Sequence, residues 1–222
     1  MSRIGLFSAT VAVALCTCAS TARADPSPWR RYEHVHFGSW GLSYAGSRLE
    51  GQGSVARIRH AAVDFDVGVT RFISGPVGFD LRLVFFPPLG TDVRELAYGR
   101  LDVGFDAGLA RWGGAVPGAF IVGAGIGGDF GRYSYAGRIY PRLSARLRLR
   151  PSEHVALFVG TEIDPAAFGP DTRVFEARTE LGFAWRPLML GFRARHVVAT
   201  GGFPARDYVQ QELGLFVGVG LL

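Results

Sequence analysis

From Phe175 to Trp185 the chain alternates without a break. Phe175, Ala177, Thr179, Leu181, Phe183 and Trp185 share one face of an extended strand, while Glu176, Arg178, Glu180, Gly182 and Ala184 share the other. A period of two with unlike faces predicts a β-strand. The pattern recurs in ten segments, near Val35 to Tyr44, Val55 to Phe72, Val77 to Phe86, Ala97 to Trp112, Phe120 to Phe130, Ile139 to Arg150, Val155 to Ile163, Arg173 to Trp185, Leu188 to Val198 and Tyr208 to Leu222. Most of them reach or exceed the roughly 9–11 residues that a tilted strand needs to cross a bilayer.

The connections alternate in length. Ser74-Gly75-Pro76, Gly113 to Gly118, Pro151 to His154 and Arg186-Pro187 are short, whereas Gly46 to Ser54, Pro87 to Leu96, Gly131 to Arg138, Asp164 to Thr172 and Ala199 to Asp207 are longer, with Gly, Pro or charged residues suited to water. This predicts an all-β fold, a closed antiparallel up-and-down transmembrane β-barrel with short turns and both chain ends on one side. The strand count is ten. Eight is the alternative, because Gly38 and Gly41 interrupt the first segment and the second is long enough to bend.

Alternation alone does not separate a membrane barrel from a soluble one, so the content of each face decides. The polar face gathers acids at Asp64, Asp66, Asp80, Asp102, Asp106, Glu162, Glu176, Glu180 and Glu212 and bases at Arg82, Arg100, Arg142, Arg146, Arg148, Arg178, Arg193 and Arg195. It also carries Gly68, Gly104, Gly108, Gly160, Gly182, Gly214, Gly218 and Gly220, which a solvated strand face would not favour. Long Arg side chains folded over small residues, each guanidinium shared between carboxylates, imply a packed, hydrogen-bonded lumen that serves structure. The other face of the last strand offers Val209, Leu213, Leu215, Val217, Val219 and Leu221, an aggregation hazard in water and a favourable surface in lipid. Trp40, Tyr44, Trp112, Phe130, Tyr140, Trp185 and Tyr208 near strand ends are read as interfacial girdles.

The N-terminus fits export. Residues Met1 to Ala24 contain Arg3, an apolar stretch from Ile4 to Leu15 and the small-x-small site Ala22-Arg23-Ala24, the parts of a secretory signal, which leaves residues 25–222 as a single barrel domain. Leu15-Cys16-Thr17-Cys18 offers a lipoprotein reading, weakened by Thr17 in place of the usual small residue. Both cysteines lie inside the signal, so disulfides, thiol catalysis and cysteine metal sites are excluded from the mature chain. The formal charge of +5 falls to +3 without Arg3 and Arg23, and acids interleave with bases, which argues against nucleic acid as a partner. Lysine and asparagine are both missing, as a GC-rich genome would produce.

On these features the chain resembles the small outer-membrane barrels typified by the OmpA membrane domain and OmpX. The resemblance implies residence in the bacterial outer membrane, lipid as the surrounding partner, insertion by the barrel-assembly machinery and a monomer with no cofactor. Members of that group usually end in an aromatic residue, whereas this chain ends Gly218-Val219-Gly220-Leu221-Leu222.

Candidate chemistry is sparse. Gly123-Ala124-Gly125-Ile126-Gly127-Gly128 satisfies a dinucleotide-binding spacing, but the following residues hold no amphipathic helix to cradle a pyrophosphate. His196 resembles the histidine of lipid A deacylase barrels, yet the nucleophile position two residues on is Val198, and Thr200 enters a Gly-Gly loop. Asp64 with Asp66 could form a carboxylate pair or bind calcium, although an Arg partner from a neighbouring strand is the simpler expectation; His34 with His36 is too small a set for zinc. The expected role is therefore structural or one of interaction through outer loops, not enzymatic and without bound metal. A narrow pore, a lipid A-modifying enzyme and a soluble exported ligand-binding barrel are the alternatives.

Overall fold

The computed structural model describes residues 28–51, 54–86, 88–89, 98–131, 138–165, 173–202 and 206–221. Expectations for residues 1–27, the signal among them, fall outside that set. The strands are β1 (His34–Gly51), β2 (Ser54–Ser74), β3 (Val77–Phe86), β4 (Pro88–Leu89), β5 (Tyr98–Trp112), β6 (Gly118–Gly131), β7 (Arg138–Leu149), β8 (Val155–Asp164), β9 (Arg173–Trp185), β10 (Leu188–Gly202) and β11 (Arg206–Leu221). Ten are long. The eleventh, β4, is a two-residue pairing of Pro88 and Leu89 with Ala62 and Ala61 of β2.

Every long strand pairs antiparallel with its sequence neighbour, and β1 pairs with both β2 and β11, so the sheet closes on itself. The result is a ten-stranded up-and-down barrel. Closure leaves no long edge whose backbone groups lack partners, the condition for a sheet that meets hydrocarbon. The tight turns follow local chemistry. Gly75, at φ +51°, and Pro76 join Ser74 to Val77, where a positive φ matches the twist of a two-residue hairpin.

Parts of two expected loops are instead strand. Gly46 to Gly51 stays paired with Ser54 to Arg59, and β10 runs past Val198 to Gly202. In both places a neighbour supplies ladder pairs, for example Ser47 with Ile58 and Ala199 with Val174, and this outweighs the weak strand preference of Gly and Ser. The adjacent strands β11, β1 and β2 are the longest among the described residues, with 16, 18 and 21 residues against 10 in β3 and in β8.

A five-residue 3-10 turn, Pro28–Tyr32, precedes β1 and enters the barrel at the short-turn end. Tyr32 is buried with Phe72, Ala119 and Ile121, and Trp29 packs on this cluster with its ring 5.5 Å from that of Phe72. Trp29 also lies over Gly108, where a Cβ would collide with the indole. Across the lumen a second apolar cluster joins Ala156, Ala184, Met189 and Phe216, with Phe158 against it.

Candidate functional site

Strand alternation sorts the two faces as a water-soluble protein would not. Asp66 is 0% exposed, Asp102 0% and Arg100 1%, while outward-facing Phe105 is 71%, Leu215 68% and Trp185 64% exposed. Charged residues are buried and large apolar residues face out. A soluble barrel with an apolar interior would show the reverse, so that alternative is overturned.

Arg82 of β3 is the hub of the middle layer. Its guanidinium grips the Asp66 carboxylate of β2 side-on and reaches across the lumen to Glu162 of β8 at 3.2 Å and Glu180 of β9 at 2.5 Å. Arg193 of β10 adds bonds to Asp66 at 2.7 Å and Glu180 at 2.8 Å. Beside this hub, β7 contributes two more bridges. Arg142 spans Asp80 at 2.6 Å and Glu162 at 2.8 Å, and Arg146 spans Asp80 at 3.0 Å and Asp106 at 2.5 Å.

A second layer lies toward the longer-loop end. Arg100 of β5 holds Asp102 side-on at 2.8 Å, reaches Asp164 of β8 at 2.8 Å and Glu176 of β9 at 2.9 Å, and stacks over the Tyr140 ring at 5.0 Å. Arg195 grips Glu176 at 2.7 and 3.1 Å, and Arg178 links Glu176 at 3.2 Å to Glu162 at 3.6 Å. The layers are thus joined through Glu162. Charges in so buried a space attract one another strongly, but each has lost much of its hydration, so the network depends on its members keeping their partners.

The charged residues singled out in the sequence come together in the lumen. Apart from Asp64 and Glu212, whose side chains lie outside the described residues, each makes at least one hydrogen bond or ion pair there, Arg148 through the Tyr32 carbonyl and Thr70. Asp66 takes two Arg partners, Arg82 and Arg193, as the Arg-pairing expectation has it. Asp164, expected in a loop, is the last residue of β8 and is buried against Arg100. It stands two positions beyond Glu162, so parity alone identifies its face. Tyr140, expected in a girdle, points inward and is 4% exposed, because it shares the parity of Arg142 and Ser144. Trp112 and Trp185 remain on the outside, while the side chains of Trp40, Tyr44, Phe130 and Tyr208 are not among those described.

The glycines of the inner face receive more rings than guanidiniums. A Cβ on Gly68 would meet His36, one on Gly127 would meet Tyr140, and one on Gly182 would meet Phe158; Gly123 and Gly160 alone in this group face Arg146. The glycine-rich motif of residues 123–128 lies wholly within β6, with β5 and β7 paired along it, and the next described element is again a strand. His196 of β10 stands opposite Ala177 and Gln211, so neither direct neighbour offers a hydroxyl nucleophile. His34 and His36 stack at 4.9 Å, and His36 Nε2 meets Asp66 Oδ1 at 3.0 Å.

The short-turn mouth is held differently. Tyr32 and Arg31 carbonyls accept hydrogen bonds from Arg148 and Arg150, and Glu33 Oε1 accepts from the Phe72 N–H at 3.0 Å. Burial raises the Glu33 carboxyl above its usual range, against the opposing pull of that hydrogen bond and of Arg71 and Arg30.

No protein-family model matches the chain, and no curated protein matches it in sequence. Among solved structures it is similar to Ail, the attachment invasion locus protein of Yersinia pestis, at 12% identity over 85% of this chain and 98% of that chain, with a TM-score of 0.26. It is also similar to Pseudomonas aeruginosa OpdL, at 9% identity over 86% and 99% with a TM-score of 0.21, and to a mutant of Rh. blastica porin, at 8% identity over 82% and 99% with a TM-score of 0.20. The barrel itself rests on its own strand pairings. Its closed up-and-down architecture is the one that the resemblance to small outer-membrane barrels implied.

Proposed function

We propose that this chain is a monomeric outer-membrane β-barrel, exported by a cleaved signal in residues 1–24, whose role is structural or one of surface interaction through its outer loops. The observation that carries the reading is the inside-out distribution of polarity around a closed sheet. An exposed band that includes Phe105, Leu215 and Ile126 has no favourable solvent except hydrocarbon or another apolar surface. Short turns and both chain ends then face the periplasm, and the longer connections face outward.

The lumen is read as a plugged, ion-paired core and not as a pore. Arg82, Arg146 and Arg193 cross it to acids on other strands, and the Pro28–Tyr32 turn occupies one mouth. The charges brace opposite walls, which is a structural role, and no reaction is assigned.

Fractionation tests the location: the protein is expected in washed outer membranes, released only by detergent, and its recovery as a soluble monomer would end the membrane reading. Planar-bilayer recordings test the lumen. Absence of discrete conductance steps is expected, and stable single-channel openings would favour the narrow pore instead.

A further inference from the structure

We propose that the lumen holds one small oxyanion, of the phosphate or sulfate class, in a cavity just inside the N-terminal plug. The proposal needs only the barrel and not the solvent around it. The cavity measures about 70 Å³. A single water occupies about 10–15 Å³ by the same kind of measure, so the space admits several waters or one tetrahedral oxyanion, and no nucleotide or sugar.

The polar groups around it are unequally satisfied. Asp80, Glu162 and Glu180 line the space, but each is already held by at least two guanidiniums: Asp80 by Arg142 and Arg146, Glu162 by Arg82, Arg142 and Arg178, Glu180 by Arg82 and Arg193. Arg148 is different. Its hydrogen bonds go to two neutral acceptors, the Tyr32 carbonyl and the Thr70 hydroxyl at 3.3 Å, and among the described residues no carboxylate forms an ion pair with it. A partly buried guanidinium with neutral partners only is costly, and its five N–H groups exceed the two bonds it makes.

Two imidazoles face the same space. His34 contacts the rings of His36 and Phe158 and has no hydrogen bond among the described residues, so its ring N–H is unused, whereas His36 Nε2 is already paired with Asp66. Phe158, Met189 and Phe216 add apolar surface to the lining. Unused donors of Arg148 and His34 beside apolar surface suit a compact anion with several acceptor oxygens. Water would fill the volume but leave the Arg148 charge uncompensated, and a cation would face the guanidiniums of Arg82, Arg146, Arg148 and Arg193. Because Arg148 also holds the Tyr32 carbonyl, a bound anion would fix the donor that retains the plug.

The test uses inorganic phosphate as the probe. The full-length mature chain is refolded into detergent in a zwitterionic buffer, and equilibrium dialysis with radiolabelled phosphate measures binding, with sulfate as competitor and folding verified by heat-modifiable gel migration. The expected result is saturable binding of one phosphate per barrel that sulfate displaces. Removing a charge-assisted bond, Arg148→Met should weaken binding by about tenfold or more and His34→Phe by about threefold, while Arg186→Gln in an exposed turn should leave it unchanged. A folded wild-type barrel that binds neither anion overturns the proposal, as does unaltered affinity in Arg148→Met. Should Arg148→Met fail to fold, His34→Phe decides: wild-type affinity in that variant overturns the proposal, and weakened binding sustains it.

Discussion

The middle of the lumen and its short-turn mouth are filled by opposite means, although the same strands and the same inward parity line both. Around Arg82 the space is occupied by charges, each shared between walls; around Phe72 it is occupied by Trp29, Tyr32, Ala119 and Ile121, held by contact and by a few hydrogen bonds to backbone carbonyls. A charged network is sensitive to each member, since losing one leaves its partners under-compensated in a buried space. An apolar plug degrades gradually, because each contact is small and the neighbours can relax. One barrel interior thus joins a charged brace to an apolar stopper.

The sharpest way to break the brace is Arg82→Met. It leaves Asp66, Glu162 and Glu180 without their shared cation, and a loss of about 3–5 kcal/mol is expected in urea unfolding of the detergent-solubilised barrel. Loss of less than about 1 kcal/mol, the range of an exposed pair, would mean that water already reaches the site. The plug should respond less. Phe72→Ala is expected to cost about 3 kcal/mol, the low end for such a truncation because the turn can settle into the gap, and to shift Trp29 emission to the red while the barrel stays folded.

The smallest effect concerns Glu33. Its carboxyl is raised in the folded state, so the folded form binds the proton more tightly than the unfolded one, and this group favours plug docking at acid pH. That contribution fades as pH rises from the ordinary carboxylate range through the raised value. Trp29 fluorescence, followed with the other three tryptophans replaced by Phe, should therefore report tighter docking on acidification, and Glu33→Gln should flatten the dependence. A dependence of the opposite sign would show that the Phe72 hydrogen bond outweighs burial.

Much of the brace is legible in the sequence because strand parity is strict: once Glu176, Arg178 and Glu180 are placed on one face, every second residue of β9 follows. Asp164 escapes only because the alternation suggests a strand that ends at Ile163, and Tyr140 only because nearness to a strand end competes with its parity with Arg142. The plug is not legible. Pro28–Tyr32 is too short for any periodicity, and its partners Phe72 and Ile121 look in sequence like ordinary strand residues. The glycines are half legible. Their inner face reads as crowded, but the crowding comes mostly from His36, Tyr140, Phe158 and Trp29, because rings lie flat against a strand where a Cβ is missing.

The central claim is that the Leu/Val/Phe face meets hydrocarbon while the charged face is sealed inside. Residues 25–222 contain no cysteine, so in that segment a single Leu215→Cys variant can be inserted into lipid vesicles and challenged with a membrane-impermeant maleimide, with Val116→Cys in an exposed short turn as the water-accessible reference. The thiol introduced at position 215 is expected to stay unmodified until detergent or denaturant is added, while the thiol at position 116 reacts at once in vesicles opened to both sides. Equal rates at the two positions in intact bilayers would contradict it.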